Sequence, residues 1–351
     1  MVTGGVLVIG GTGYYGQKVM GALRRAGFTV RSAGRRGADV LLDLRDAATF
    51  GVLRDYAAIV NASDSVRAKP DDALRFALAE GLLWVEMGAD PQLTQRALAL
   101  SVAPARGTVV LGAGIFPGLS TALAVELAGT DASQVELGIR ISPLSGAGRG
   151  NCALMTHTLS LPSVRYDDRQ RVTGRTVGAR AAMPFFGSDP QVAAEMALPD
   201  ADLIARATKA PAVRTRFALQ PGFLLHNFRA LAWLADRLGT LRGGLLAVSY
   251  VMLLGLRAFL LRRVSSPVDL SVVVEAPTGR RQRLVRVPDG TNGTALALAA
   301  FVRELLPRRL PTGVVIAGQL VGADTLINTM RAIDGSDACV LSTAAVQHPQ
   351  N

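Results

Sequence analysis

Short apolar runs alternate with amphipathic stretches along the first third of the chain. The first run, Val6–Ile9, is aliphatic throughout, as a parallel strand buried on both faces requires. A stretch with apolar residues at helical spacing follows and stops at Gly27. Further strand-like runs occupy 28–32, 40–42, 57–60, 82–85 and 108–111, and further helical stretches occupy 71–80 and 92–100. This order predicts an α/β fold, a Rossmann-type parallel sheet.

A glycine-rich turn connects the first strand to the first helix. Its residues are Gly10, Gly11, Thr12, Gly13, Tyr14, Tyr15 and Gly16. A strand, G-x-G-x-x-G, a helix and a second strand together form a dinucleotide-binding fingerprint. Gly11 allows the tight turn, Gly13 lets the backbone approach a pyrophosphate, and Gly16 lets helix and strand pack closely. The helix start favours a diphosphate, so we predict a cofactor site here, with a purely structural corner as the alternative.

The turn after the second strand indicates which dinucleotide binds. NAD sites place an acidic residue there for the ribose hydroxyls, but residues 32–36 contain no acid. Arg35 and Arg36 can instead pair with a 2′-phosphate, which predicts NADP(H), unless both side chains only face solvent. Asp39 follows too late in the sequence to bind the ribose. Asp43 is predicted to reach the adenine.

Other candidate site residues follow the later strands. Parallel strands end at one edge of a sheet, where ligands gather, so these residues are expected to share a crevice with the glycine-rich turn. They are Asn61 and Ala62 for the cofactor, Glu86 for catalysis, and Phe116, Pro117 and Gly118 for the substrate. A carboxylate at position 86 can relay a proton or bind a substrate ammonium.

The second half of the chain predicts a different kind of sheet. Strand-like runs at 135–141 and 270–275 accompany hairpin-like stretches at 163–176 and 278–288, which indicates antiparallel pairing in an α+β domain. His157 lies in a segment that can face a substrate. A structural histidine is the alternative.

Five motifs occur together in the first half: G-G-T-G-Y-Y-G at 10–16, A-G-R at 33–35, L-D-L-R-D at 42–46, V-N-A at 60–62 and G-A-G-I-F-P-G-L-S at 112–120. With them the chain resembles the saccharopine dehydrogenase-like oxidoreductases over roughly residues 6–128. D-G-T-N-G-T-A-L-A at 289–297 and P-T-G-V at 311–314 extend the resemblance more thinly. Where relatives often carry a tyrosine and an aspartate, this chain has Trp84-Val85-Glu86, which leaves the substrate open.

The resemblance implies a Rossmann NADP-binding domain at 1–128 and an α+β substrate or oligomerisation domain at 129–351, with a cleft between them and a C-terminal segment able to return to the first domain. It also implies hydride transfer to or from an imine, carbonyl or activated alkene of a small-molecule or lipid-like substrate. The alternative is a non-catalytic NADP(H)-binding regulatory or partner subunit, associated with a membrane surface. Short-chain dehydrogenase chemistry does not fit, because the only Y-x-x-x-K, Tyr14 to Lys18, lies inside the glycine-rich turn.

An apolar helix is predicted at 243–261. Its single charge is Arg257, and arginines flank it on both sides. Burial in a groove or in a homodimer interface is the expected placement. Peripheral contact with a membrane is the first alternative, and a span is the second, although a span would separate the strands on either side of it.

Composition and charge make several kinds of partner and site unexpected. The net charge is +11, but the arginines are dispersed and aromatics make up only 5% of residues, so no nucleic-acid partner is expected. Two cysteines and three widely separated histidines predict neither a disulfide framework nor a metal site. Without a secretory signal pattern, a cytoplasmic protein is expected.

Overall fold

The computed structural model describes residues 4–142, 149–237, 242–259, 267–343 and 346–348. The chain forms two compact units. The first comprises Met1–Ala122 and Thr291–Cys339, and the second comprises Leu123–Gly290 and Val340–Asn351. The segment after residue 290 therefore belongs largely to the first unit.

The first unit contains a parallel sheet, which confirms the predicted Rossmann-type α/β class. Its seven strands in the described residues are β1 (Val6–Ile9), β2 (Val30–Gly34), β3 (Val40–Leu41), β4 (Ala58–Asn61), β5 (Leu83–Glu86), β6 (Thr108–Leu111) and β15 (Gly313–Ile316). They lie in the order β15-β6-β5-β4-β1-β2-β3, with all pairs parallel. β1 and β4 are buried along their whole length, as their continuous apolar sequences predict.

Helices connect these strands. They are α1 (Tyr14–Arg25), α2 (Ser65–Ala68), α3 (Asp71–Glu80), α4 (Pro91–Leu98), α11 (Ala317–Leu320) and α12 (Ala323–Asp334), together with the 3₁₀ segments Ala47–Asp55 and Asp337–Cys339. Two further helices, α5 (Leu119–Ala128) and α10 (Gly290–Leu305), contain the unit boundaries. α1 buries Val19, Met20 and Leu23 at helical spacing, which is the pattern that predicts it from sequence.

The second unit contains a mixed sheet of ten strands in the described residues. They are β7 (Gln134–Ile141), β8 (Val164–Asp167), β9 (Gln170–Thr173), β10 (Arg180–Phe185), β11 (Ser188–Glu195), β12 (Ala212–Leu219), β13 (Val268–Ala276), β14 (Gly279–Val287), β16 (Leu341–Ser342) and β17 (Val346–His348). The main path is β10-β11-β12-β7-β13-β14-β16, with β17 beside β14 and the hairpin β8–β9 beside β12. β12 and β7 pair in parallel, so the sheet is not purely antiparallel as predicted.

Four helices accompany this sheet: α6 (Arg149–Thr158), α7 (Pro199–Thr208), α8 (Phe223–Arg237) and α9 (Arg242–Phe259). α9 lies in the predicted apolar segment and packs against α6 and α8. Its other side carries Val248, Val251 and Met252, which are exposed. This side of the helix is therefore not buried within the chain itself, and its burial in a homodimer interface stays a prediction. Among the described helices, none combines the length and apolar character needed to cross a bilayer.

A buried ion pair connects three strands of the second sheet. Arg140 of β7 lies opposite Asp269 of β13, which lies opposite Arg286 of β14. Arg140 Nε donates to Asp269 Oδ2 at 2.8 Å, and Arg286 Nε donates to Asp269 Oδ1 at 2.6 Å. The Arg140 guanidinium also lies 4.8 Å from the Phe185 ring centroid and donates to Ser188 Oγ at 2.7 Å. The Arg140 guanidinium and the Asp269 carboxylate are thus both buried, and most of their hydrogen-bonding atoms have partners.

We predict that Asp269→Ala lowers the free energy of unfolding by about 3 to 5 kcal/mol, because Arg140 would remain charged and unpaired in the interior. Glu275→Ala, on the same strand, removes a 3.5 Å pair with Arg280 whose side chains are both exposed, and should cost less than about 1 kcal/mol. Denaturant unfolding of both variants checks this. Equal losses would show that the buried pair carries no special weight.

Candidate functional site

The candidate site lies at the carboxyl edge of the parallel sheet of the first unit. From β1 the chain moves outward through β2 and β3 on one side, and β4, β5 and β6 continue on the other. The order therefore reverses between β1 and β4. The crevice outside such a reversal is where open parallel sheets bind ligands. Gly10, Gly34, Asn61, Glu86 and Leu111 stand at or next to the ends of the strands concerned.

The glycine-rich turn is packed tightly against the start of α1. A Cβ atom at Gly16 would lie 2.0 Å from the Gly10 carbonyl oxygen, so no larger residue fits. A Cβ at Gly10 would lie 2.9 Å from Ser63 Cα, and Gly10 has a positive φ of 76°. The turn after β1 therefore touches the turn after β4. This contact brings two predicted parts of the cofactor site together.

The start of α1 is open to a ligand. Gly13, the residue preceding the helix, is exposed, and no side chain caps the first turn. That turn also contains no acidic residue. Thr12 and Tyr14 are exposed and Tyr15 is half-buried. The first-turn N–H groups and the helix dipole thus form a favourable environment for a phosphate.

A hydrogen-bonded network lies behind this turn. Asn61 is fully buried; its Nδ2 donates to Glu86 Oε2 at 2.8 Å, and its Oδ1 accepts from Ser63 N at 3.1 Å and Ser63 Oγ at 2.7 Å. Glu86 also accepts from Trp84 Nε1 at 3.2 Å and from Gly88 N at 2.8 Å. These contacts fix the orientation of the Asn61 amide. Through Ser63 they also fix the turn that touches Gly10.

Glu86 has an unusual protonation equilibrium. Burial raises the pKa of its carboxyl group to about 7, the hydrogen bonds from Asn61, Gly88 and Trp84 lower it, and the charge of Asp90 raises it slightly. The residue is 2% exposed, and each carboxylate oxygen accepts from at least one N–H donor. The predicted catalytic carboxylate thus faces protein groups on both oxygens. This geometry fits positioning of Asn61 better than contact with a substrate.

Hydrogen bonds between Asp39 and Ser32 close the turn after β2, and we call them the clasp. Asp39 Oδ2 accepts from Ser32 N at 2.7 Å and Ser32 Oγ at 2.8 Å, and Asp39 N donates to Ser32 Oγ at 3.0 Å. These bonds from Ser32 lower the pKa of Asp39, so the carboxylate is ionised. The clasp holds both ends of the loop that carries Arg35 and Arg36. Both arginines are exposed, and neither bonds to another residue in the part of the chain described.

The other predicted cofactor and substrate residues differ in their surroundings. Asp43 Oδ1 accepts from Arg45 N at 3.1 Å and so stabilises a local turn, which competes with the predicted adenine contact. Ala62 is half-buried, and its N–H donates to Ile9 O at 3.0 Å beside the glycine-rich turn. His157 belongs to α6 of the second unit and is half-buried. Its predicted substrate contact stays a prediction.

The loop after β6 is folded onto itself. Gly114 N donates to Pro117 O at 2.8 Å, Leu119 N donates to Gly114 O at 2.9 Å, and Gly114 and Gly118 form a β-bridge. Pro117 and Gly118 are buried, whereas Phe116 is half-buried. A loop held this closely presents a fixed backbone at the carboxyl edge of the sheet.

Sequence reasoning missed several residues that contact the site. Lys18 Nζ donates to Asn292 Oδ1 at 2.8 Å, which joins α1 to the first turn of α10. Thr294 follows two residues later in α10, and its Cγ2 lies 3.7 Å from the position that a Cβ atom would take at Gly114. Asn292 and Thr294 both belong to the sequence D-G-T-N-G-T, which was the signal available for them. Only a tertiary structure shows which elements they join. Ser63 was recognisable from Asn61-Ala62-Ser63, since Asn often bonds the residue two positions on.

No family model matches the chain, and no curated protein matches it. A WlbA (WbpB) dehydrogenase from Thermus thermophilus in complex with NAD and UDP-GlcNAcA is a structural neighbour at 14% identity, with 93% of this chain and 92% of that chain covered and a TM-score of 0.39. An oxidoreductase from Sinorhizobium meliloti has 12% identity, 95% coverage of both chains and a TM-score of 0.39. UDP-N-acetylglucosamine 3-dehydrogenase GnnA from Acidithiobacillus ferrooxidans has 12% identity, coverage of 96% and 99%, and a TM-score of 0.33.

None of these three proteins is described as a saccharopine dehydrogenase, so that family resemblance stays a prediction. At these identities and TM-scores the likeness carries nothing about the cofactor or the substrate of this chain.

The raised pKa of Glu86 predicts a specific dependence of stability on pH. Between the ordinary value of 4.5 and about 7, the unfolded chain releases this proton while the folded protein keeps it. This group therefore stabilises the fold fully only below pH 4.5, and the contribution is lost as the pH rises to about 7, by up to about 3 kcal/mol. The difference in unfolding free energy between the wild type and Glu86→Gln should fall accordingly from pH 4.5 to 7.

Glu80→Gln is the matched control, because the hydrogen bond from Arg54 lowers the pKa of Glu80. Its difference from the wild type should be lost only as the pH falls through the lowered value. A Glu86→Gln difference that is flat between pH 4.5 and 7 would contradict the raised pKa.

Proposed function

We propose that the protein is an NADP(H)-dependent oxidoreductase of the saccharopine dehydrogenase-like type. The single observation that carries this proposal is the open glycine-rich turn and α1 start at the strand-order reversal, with Arg35 and Arg36 exposed on the adjoining turn and without a partner among the described residues. A dinucleotide diphosphate fits the N–H groups of α1. The 2′-phosphate of NADP(H) then fits the two guanidinium groups.

In this proposal different residues contact different parts of the cofactor. Residues 10–16 hold the diphosphate, the loop closed by Ser32 and Asp39 holds the adenosine end, and Asp43 lies toward the adenine. Asn61 and Ala62 border the nicotinamide end, and Glu86 positions Asn61. NADP(H) supplies or accepts a hydride when bound.

The substrate lies, in this proposal, beside the folded loop after β6, which includes Phe116, Pro117 and Gly118. An imine, a carbonyl or an activated alkene is the class of acceptor that hydride chemistry requires. A buried Glu86, whose two oxygens both accept protein N–H groups, acts in this proposal only through Asn61 and the turn at Ser63. His157 remains a candidate substrate contact on the second unit.

A second candidate is a non-catalytic NADP(H)-binding subunit. The surroundings of Glu86 favour it, because both oxygens of the carboxylate predicted for catalysis already accept protein N–H groups in a buried position. The two candidates differ in whether bound NADPH is oxidised when imine, carbonyl and enone panels are added, as followed by absorbance of the reduced nicotinamide. Turnover of any substrate supports the enzyme, and binding without oxidation across the panels supports the second candidate.

NADPH should bind roughly tenfold to a hundredfold more tightly than NADH, because a partly exposed charge-assisted pair is worth about 1.5 to 3 kcal/mol. Arg35→Ala should remove most of the difference by weakening NADPH alone. Arg25→Ala, an exposed arginine in the last turn of α1, is the control and should change neither affinity. Calorimetric titration at one salt concentration measures all six combinations of the three proteins with the two cofactors. Equal wild-type affinities would remove the basis of the NADP assignment.

Asp39→Ala tests the clasp independently. If Asp39 only holds the loop of Arg35 and Arg36, this variant should weaken NADPH severalfold and leave NADH nearly unchanged. Asp39→Asn, which keeps an oxygen acceptor for Ser32, should recover part of the NADPH affinity. A greater loss for NADH than for NADPH would instead identify Asp39 as a ribose ligand and favour NAD.

A further inference from the structure

The first turn of α10 lies between α1 and the loop after β6. Lys18 Nζ, on α1, donates to Asn292 Oδ1 at 2.8 Å. Two residues further along α10, Thr294 Cγ2 lies 3.7 Å from the position that a Cβ atom would take at Gly114. All four residues belong to the first unit. One short segment of α10 thus connects the helix that starts at the predicted diphosphate site to the loop predicted to face the substrate.

The rest of α10 is held in the interior. Residues 295–302 are at most 2% exposed, and Leu305 is fully buried. Close-packed interiors transmit a displacement instead of absorbing it. A shift of Asn292 therefore moves Thr294 as well, because both lie at the start of the same packed helix.

The loop after β6 has little space to absorb such a shift. A Cβ atom at Gly118 would lie 2.0 Å from the Gly114 carbonyl oxygen, and one at Gly114 would lie 3.3 Å from the Pro117 carbonyl oxygen. Gly114 N also donates to Pro117 O at 2.8 Å. The Thr294 methyl group therefore meets backbone that is already packed against itself, so the position of α10 influences the position of this loop.

Lys18 also contacts the first turn of α1. Its Nζ lies 5.8 Å from the centroid of the Tyr14 ring, and Tyr14 is the first residue of α1. Lys18 is half-buried, whereas Tyr14 is 43% exposed. The ammonium group thus stands between an aromatic ring at the α1 start and an amide on α10. A ligand that fixes this turn of α1 also restricts Lys18, and with it Asn292.

We propose that Lys18 is a positioning residue that couples the two ends of the site through Asn292 and Thr294. A dinucleotide at the start of α1 then orders the loop at Gly114, so prior binding of the cofactor strengthens binding of the substrate. By linkage, a bound substrate raises the affinity for the cofactor by the same factor. This inference rests on the proposed function, because it needs NADP(H) at the start of α1.

Hydrogen–deuterium exchange of the full chain, with and without saturating NADPH, tests the coupling. The amides of Gly114 and Leu119 are hydrogen-bonded within the loop and exchange only when it opens. In the wild type, NADPH should slow exchange about fivefold at 113–119 and 291–295, an effect of the size of one hydrogen bond, besides slowing it at 11–17. Calorimetric titration establishes the saturating concentration for each protein.

Variants of Lys18 identify the residue responsible. Lys18→Met removes the donor and should abolish the NADPH-dependent slowing at 113–119 and 291–295, while the slowing at 11–17 remains. Lys18→Arg keeps a donor and should restore part of the effect. Arg25→Met, which removes an exposed cation seven residues later on the same helix, is the matched control and should behave as the wild type does. A contact that only stabilises the fold would change exchange equally with and without NADPH, so the difference between the two states measures the coupling.

Thr294→Ser separates the two steps. It removes the methyl group that faces Gly114 and keeps the hydroxyl group, so slowing at 291–295 should remain while slowing at 113–119 is lost. This variant leaves the donor and the acceptor of the Lys18 hydrogen bond in place, and its result decides if Lys18→Met melts early.

Three results would overturn the inference. NADPH that slows exchange at 11–17 but not at 113–119 in the wild type would show that the two ends are not coupled, and would leave the proposed cofactor site standing. Slowing at 113–119 that survives unchanged in Lys18→Met would show that Lys18 does not carry the coupling. NADPH that does not bind in the titration would remove the proposed function, and this inference with it.

Discussion

The close approach between the start of α1 and the turn after β1 is the constraint on which the candidate site depends. A Cβ at Gly16 would lie 2.0 Å from the Gly10 carbonyl oxygen, so helix and turn meet backbone to backbone. That contact sets where the first-turn N–H groups lie relative to the sheet edge. The same turn touches Ser63 from the neighbouring β4, on the other side of the strand-order reversal. The exposed start of α1 is thus bordered by backbone whose geometry is set by packing.

Behind this turn, polar side chains act as supports. Glu86 holds the Asn61 amide in one orientation, and Asn61 holds Ser63. On the other side of β1, Asp39 and Ser32 close the loop of the two arginines. In both places a carboxylate accepts N–H groups of the protein. These two acids therefore shape the loops, whereas the exposed side chains of Arg35 and Arg36 are positive.

The sequence predicted the parallel sheet and its glycine-rich turn, because both depend on local patterns: continuous apolar runs and the spacing of Gly11, Gly13 and Gly16. It did not predict that β15, from the far end of the chain, pairs with β6, since no local period reports such pairing. The occupied state of Glu86 likewise depends on Trp84 and Gly88 in the folded chain. Apolar spacing identified the helix α9 but did not indicate which of its sides is covered.

The central claim is that the dinucleotide occupies the carboxyl edge of the first unit's parallel sheet. Hydrogen–deuterium exchange of the full chain with and without saturating NADPH tests it most directly. The account predicts slower exchange at 11–17, 35–37 and 61–63, with the strongest effect at the start of α1. Slower exchange confined to other segments, or none while titration shows NADPH bound, would contradict it.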